Sequence, residues 1–224
     1  MPQYGRVRLD AVRTTVAGVL LAAGEGSRFG QPKALVELNG QTLAERGANL
    51  LRVGGADPIL VVTGAAPVEL DGARIVYNQE WRTGMGSSLR AALQTLTDAH
   101  ASQGADANTD SEASTGTGPN VGAVVVALAD QPLVGPEAVA RLIAAYRDGA
   151  TVAVAAYDGQ ARNPVLLARE HWAEVIATAV GDQGARTFLR AHPDLVTLVE
   201  CGDTGRPDDI DTPADLARIT AIQD

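Results

Sequence analysis

Three glycines and two fixed cations stand close together in L-A-A-G-E-G-S-R-F-G-Q-P-K, residues 21–33 of the chain. Gly24, Gly26 and Gly30 carry no side-chain bulk, so backbone N–H groups can approach a ligand closely. Arg28 and Lys33 bring positive charge to the same loop. Amide donors and point charges around one turn are a device for holding a polyphosphate. The alternative is a surface loop whose cations are merely solvated. Two familiar phosphate loops are excluded. Lys33 follows Pro32 rather than a glycine, with no Ser or Thr after it, so this is not the kinase-type loop. Starting at Gly24, Phe29 stands where the dinucleotide fingerprint needs its third glycine, and Pro32 blocks a helix from starting at once.

Two acidic sites lie far along the chain. In L-A-D-Q-P, Asp130 follows the strongest apolar run. At the carboxyl end of a central strand it could hold Mg²⁺ against a phosphate, or simply shape an Asx-turn. In D-D-I-D-T-P, Asp211 or Thr212 could cap a helix starting near Pro213, but three acids exceed what a cap needs. Were Asp211 packed beside Asp130, two carboxylates would flank one hard cation. G-M-G-S-S, with Gly84, Gly86, Ser87 and Ser88, can cap a helix or receive an anion, and Trp81 before it either stacks on a planar ligand or covers core. Asp182 and Arg186 sit near a helix start, and Asn163 and Pro164 lead into a strand. His100, His171 and His192 lack metal-ligand spacing, and no nucleophilic triad is spelled out. Cys201, the one cysteine, excludes an internal disulfide and reads as a small half-buried residue.

Positioning these groups requires a scaffold. Apolar runs predict strands over 16–21, 58–63, 73–77, 121–128, 151–157, 164–168 and 195–199. Spaced leucines and caps predict helices over 42–53, 87–96, 136–147, 170–180, 184–191 and 212–222. This alternation predicts a three-layer α/β domain with a mostly parallel sheet, its ligand outside the carboxyl ends of the strands. Residues 1–15 read as a polar extension, and 16–224 as a single domain. An insert at about 99–120, with no aliphatic residue larger than Ala between 99 and 120, reads as a mobile surface loop.

With 224 residues, 46% hydrophobic and only 4% aromatic, the core must be built from Val, Leu, Ile and Ala. A net charge of −9 argues against nucleic acid and acidic membranes as partners. No run approaches the roughly 20 apolar residues of a membrane span. No signal-peptide core opens the chain, so a cytoplasmic protein is expected.

Taken together, L-A-A-G-E-G-S-R-F-G-Q-P-K, N-Q-E-W-R-T-G-M-G-S-S-L, A-D-Q-P, R-N-P-V-L, G-D-Q-G-A-R and D-I-D-T-P-A-D-L resemble, in this order, the nucleotidyltransferases that act on molybdenum cofactor. The resemblance runs from about Val16 to Ile222. It implies a Rossmann-like nucleotidyltransferase fold and Mg²⁺-dependent transfer of NMP from an NTP to a phosphorylated acceptor, molybdopterin. Leu21, Ala22, Ala23, Gly24 and Gly26 would hold base and phosphates, with Arg28 and Lys33 on the triphosphate. Asp130 and Asp211 would bind Mg²⁺. Gly84, Gly86 and Ser87 would border the nucleotide; Ser88, Asn163, Pro164, Asp182 and Arg186 would face the acceptor. Ala23 and Pro32 resemble the branch using CTP; the alternative is guanylyl transfer from GTP to molybdopterin or another small phosphorylated acceptor. Phe29 and Arg162-Asn163 depart from the family pattern. A recipient molybdoenzyme or its chaperone is the implied protein partner. Two other classes remain: an NAD(P)H-dependent reductase on this fold, against which Phe29 argues, and a binding-only module, against which Lys33, Asp130 and Asp211 argue.

Overall fold

The computed structural model describes residues 14–105 and 120–223. In chain order the elements are β1 (Thr15–Leu21), β2 (Glu37–Leu38), β3 (Gln41–Thr42), α1 (Leu43–Val53), β4 (Ile59–Thr63), β5 (Arg74–Tyr77) and α2 (Met85–Ala105). They continue as β6 (Val121–Leu128), α3 (Pro136–Arg147), β7 (Val152–Tyr157), β8 (Gln160–Ala168), α4 (Trp172–Thr178), α5 (Arg186–Ala191), β9 (Val196–Glu200) and α6 (Pro213–Gln223).

Seven strands form one sheet in the order β5-β4-β1-β6-β8-β7-β9. β8 pairs antiparallel with both its neighbours, and every other pairing in the sheet is parallel. Both faces are covered, which is why the strands read as apolar runs rather than as alternating patterns. Along β1, Val16 and Leu20 enter the core under α1 and α3. Ala17, Val19 and Leu21 enter the opposite core with Leu89 and Leu93 of α2 and Trp172 of α4. The expected three layers and mostly parallel sheet are present.

Thr42 caps α1 through a box with Glu45: the Glu45 N–H donates to Thr42 Oγ1 at 3.2 Å, and the Thr42 N–H donates to Glu45 Oε2 at 2.7 Å. The structure differs from the sequence reading in four places. The antiparallel ribbon of β2 and β3 turns on Asn39-Gly40, both with positive φ. The expected mobile insert is helical in its first part, because α2 continues from its Leu89–Leu93–Leu96 face along Ala99, Ala101 and Gln103 to Ala105. The rest of that insert, residues 106–119, and residues 1–13 of the expected extension lie outside the described residues. β8 starts at Gln160 rather than at Pro164. The proline, which has no N–H to donate, sits where the pairing with β7 shifts register and the pairing with β6 ends. Finally, the helix expected over 170–180 divides into a 3₁₀ turn, Arg169–His171, and a shorter α4, and α5 starts at Arg186 instead of 184.

Among the described residues, no helix is long and apolar enough to cross a membrane.

Candidate active site

A cleft of about 500 Å³ opens at the carboxyl ends of β1 and β6. One wall is Leu21, Ala22, Ala23, Gly24, Glu25 and Gly26, the chain leaving β1; Lys33 and Asp130 close that side. The other wall is Trp81, Arg82, Gly84, Met85, Ser88 and Asp182.

The glycine loop is a tight turn. The Gly26 carbonyl accepts from the N–H groups of Phe29 and Gly30 at 2.8 and 2.9 Å. Gly26 has φ 62°, and a Cβ there would collide with the Gln31 carbonyl oxygen, so only glycine fits. Gly24 faces open space in the cleft wall. No α-helix follows the turn directly. A 3₁₀ turn over Lys33–Leu35 and the β2–β3 ribbon come first, as Pro32 requires. A dinucleotide loop would deliver its glycines straight into a helix, and this one does not.

A small apolar cluster brings distant segments to this loop. Phe29, next to Arg28, and Val36 bracket Lys33 in the chain, and they pack with Leu38, Leu43, Ile210 and Ile219. Ile210 carries Asp211 with it, and the Ile210 N–H donates to the Asp130 carbonyl at 2.8 Å. Three segments therefore meet. Lys33 Nζ donates to Asp130 Oδ2 at 2.8 Å and to Asp211 Oδ1 at 2.5 Å. Arg28 Nη2 lies 3.2 Å from the other oxygen of Asp211. The Lys33 side chain is 19% exposed and that of Arg28 is 73% exposed, so one cation is enclosed and the other is at the rim. Burial alone would lower the Lys33 pKa; Asp130 and Asp211 outweigh it and hold the ammonium above its usual value.

The acids of the D-D-I-D-T-P turn have separate tasks. Asp208 pairs with Arg206 and Arg218. Asp209 accepts from Gln131 Nε2 at 2.9 Å. Thr212, not Asp211, caps α6: its hydroxyl accepts from the Asp215 N–H, and the Asp215 carboxylate returns the bond to the Thr212 N–H. Asp211 is thereby left to face Lys33 and Arg28.

Two carboxylates already arranged around one ammonium form an oxygen-donor set of the kind a hard divalent cation accepts. Among the described residues no three His, Cys, Asp or Glu side chains converge as a metal group. Such a pair therefore fits an ion that completes its shell with water and substrate oxygens, as Mg²⁺ commonly does.

On the facing wall, Asn78 Nδ2 donates to Ser87 Oγ at 2.8 Å and to Ser88 Oγ at 3.0 Å. Ser87 also donates towards the carbonyls of Glu80 and Gly84. All three residues are buried, so the paired serines fix the start of α2. Gly84, with φ 109°, touches Gly181 so closely that a Cβ would overlap it, and this contact brings Asp182 to the cleft. Asp182 Oδ1 accepts from the Met85 N–H at 3.4 Å. Of the other expected site residues, Gly86 packs on the backbone of Ala179 and Val180. Asn163, Pro164 and Arg186 are not part of the cleft lining, and neither are Arg28, Ser87 and Asp211. Arg82 and Glu25 are not among the residues the sequence motifs single out, and the sequence leaves Trp81 between stacking on a ligand and covering core. The Arg82 guanidinium lies over the Trp81 ring, 4.2 Å from its centroid, and both line the cleft. Their signal was position alone, a bulky aromatic and a cation directly before a glycine turn. Cys201 is fully buried, and burial pushes its thiol pKa up, which suits packing and not nucleophilic attack.

A doubly covered α/β sheet with a cationic glycine loop and paired carboxylates at its carboxyl edge defines an enzyme of the nucleotidyltransferase kind. The chain belongs to the family of the MobA-like NTP transferase domain, whose model matches residues 18–196. It is 36% identical over 219 residues to the nicotine blue oxidoreductase of Paenarthrobacter nicotinovorans, covering 91% of this chain and 96% of that protein. A shorter match, 43% identity over 54 residues, links 24% of this chain to 27% of an Opitutus terrae protein named "Probable molybdenum cofactor guanylyltransferase". Among solved structures, the homologue of Mycobacterium tuberculosis Rv0371c from Mycobacterium sp. strain JC1 superposes with TM-score 0.71 at 31% identity, covering 92% of this chain and 96% of that one.

Proposed function

We propose that this nucleotidyltransferase moves CMP from CTP to the terminal phosphate of molybdopterin and releases pyrophosphate, with Mg²⁺ as its metal. The observation that carries the reading is the meeting of Lys33, Arg28, Asp130 and Asp211 beside the glycine loop. In this reading the 22–26 backbone holds the nucleotide, and Lys33 and Arg28 bind the triphosphate. Asp130 and Asp211 are the residues that would hold the metal. Bound there, the ion supplies Lewis-acid charge to the phosphate oxygens. The acceptor phosphate is anionic at neutral pH and attacks the α-phosphorus directly, so no side chain need remove a proton. Lys33 and Arg28 offset the charge gathering on the departing pyrophosphate. The cleft walls contribute alignment, holding donor and acceptor in line. Ser88 and Asp182 face the acceptor from the far wall. The choice of CTP over GTP rests on Ala23 and Pro32; the likeness to the Opitutus terrae protein supports GTP as the alternative nucleotide.

The test is pyrophosphate release by the purified protein with Mg²⁺, molybdopterin and each NTP in turn. Release with CTP alone is expected; release with GTP alone would move the assignment to guanylyl transfer, and none with any NTP would overturn it.

A second reading has one observation in its favour, the 36% identity to a protein named as an oxidoreductase. It makes this chain an NAD(P)H-dependent reductase. The 22–33 loop, with Phe29 at the third glycine position and no helix behind it, supplies no dinucleotide fingerprint. Oxidation of NAD(P)H, followed by loss of absorbance in the presence of a candidate electron acceptor, would favour it.

A further inference from the structure

The four charged groups of the site neutralise one another. Lys33 bridges Asp130 and Asp211, and Arg28 takes the remaining oxygen of Asp211. Nucleotidyl transfer, as read above, needs the same groups for other partners, the carboxylates for a metal and the cations for a triphosphate. A metal and the Lys33 ammonium cannot both sit between the two carboxylates.

Resting on that reading, we propose that Lys33 is the resident counter-cation of the metal site, exchanged for the divalent ion only when a nucleoside triphosphate arrives to take Lys33 and Arg28. A metal alone would evict two cations and leave them unpaired beside a new dication. A triphosphate alone would meet cations whose charge is already spent on Asp130 and Asp211. Arriving together, the two ligands give every charge a partner. Metal and nucleotide therefore bind synergistically, and by linkage each tightens the other by the same factor. The enclosure of Lys33 makes the effect sizeable, because a half-buried ion pair is screened less than a surface one. The arrangement also keeps the carboxylates from collecting stray divalent ions in the absence of nucleotide.

The experiment is a titration with Mn²⁺ alone, read by electron paramagnetic resonance of the free ion. It compares the wild type with Lys33→Met, Lys33→Arg and Arg28→Gln. Expected is weak binding by wild type and Lys33→Arg, and binding about tenfold tighter by Lys33→Met, equivalent to losing one competing partial charge pair. Arg28, mostly exposed, should give a smaller gain in Arg28→Gln. Adding CTP, with the Mn²⁺ held by free nucleotide subtracted, should tighten Mn²⁺ strongly in wild type and far less in Lys33→Met. Mn²⁺ should also raise the Tm of Lys33→Met more than that of wild type. Equal Mn²⁺ affinity in wild type and in both charge-removing variants, with unchanged synergy, would overturn the exchange and leave the metal assignment standing. The double variant Lys33→Met/Asp130→Asn separates the two ideas. If it binds Mn²⁺ as Lys33→Met does, the ion is elsewhere and the metal assignment itself fails. Should Lys33→Met not fold, Arg28→Gln and the wild-type synergy decide the matter.

Discussion

Two polar clusters face each other across the cleft, and they are built on opposite principles. Lys33, Asp130 and Asp211 carry full charges and come from segments 97 and 178 residues apart. Asn78, Ser87 and Ser88 are neutral and lie 9 and 10 residues apart. The neutral cluster is sealed: Asn78 is 5% exposed and both serines 3%. Its amide donors are spent on the serines, and its oxygen accepts from the Glu80 N–H at 2.9 Å. Of the three, Ser88 alone also lines the cleft. The charged cluster opens to the cleft through Lys33 and Asp130, and its groups can trade partners without leaving a buried donor bare. Charge drawn from distant segments marks the side that reacts, and short-range amide bonding marks the side that holds still.

The largest effect should come from breaking the charged side. Lys33→Ala and Asp130→Ala are each expected to lower pyrophosphate release roughly a hundred- to a thousandfold, the scale of removing one electrostatic contact made in the transition state. Their circular dichroism should stay native, because the apolar cluster around Phe29 and Ile210 holds the loop independently. A variant with full activity would remove these residues from the chemistry. A variant that unfolds would make the charged side a scaffold like its counterpart.

Next comes the neutral side, where the opposite pattern is expected. Asn78→Ala strips the Ser88 hydroxyl and the Glu80 N–H of a buried partner. At about 1–3 kcal/mol per group left unsatisfied, less for the Glu80 N–H because Glu80 is exposed, the loss of stability in urea denaturation should be about 2–6 kcal/mol, towards the lower end. Activity per folded molecule should fall much less than in Lys33→Ala. If turnover collapses while stability holds, the serine wall takes part in binding.

The two sides were unequally legible. The types of the charged residues could be read, since a cation after a glycine loop and an acid after a strong strand have few other uses. Their meeting could not be read, because it depends on Ile210, Val36 and Phe29 packing together across the length of the chain. The sequence lets Asp211 and Thr212 share the capping role, and the geometry gives the cap to Thr212. The sequence leaves Ser87 and Ser88 between a helix cap and an anion site, and the resemblance assigns Ser87 to the nucleotide and Ser88 to the acceptor. The unseen partner was Asn78, close in sequence but separated from them by a turn. The central strands were plain from their apolar runs. The β2–β3 ribbon was too short for any periodicity, although its Asn-Gly turn was in view. The end of α2 was missed because its apolar face stops at Leu96 while the helix runs on over small polar residues.

Within the charged side, enclosure should grade the response. Arg28→Gln removes a pair in which the arginine side chain is 73% exposed, so screening leaves it little strength. Its expected effect is about a fivefold rise or less in KM for the nucleotide, shrinking further as salt is added. A loss as large as that of Lys33→Ala, insensitive to salt, would show that Arg28 becomes enclosed once nucleotide is bound.

The smallest effect concerns Asp209, which borders the charged cluster without joining it. Desolvation of its carboxyl raises its pKa above 3.8, its bond from Gln131 works the other way, and the neighbouring Asp130 and Asp211 raise it further. A carboxyl whose folded pKa is raised costs the folded protein stability wherever it is ionised. That cost is relieved as pH falls through the folded pKa, because the folded state takes up the proton before the unfolded one does. Asp209→Asn keeps an oxygen to accept from Gln131 and carries no charge, so it should melt slightly higher than wild type at neutral pH. The gap should narrow as the solution is acidified through the raised pKa and stay constant once both states of the wild type are protonated. A gap that widens on acidification would mean that the ionised carboxylate stabilises the fold, and Asp209 would then belong with Asp130 and Asp211 as a partner of Lys33.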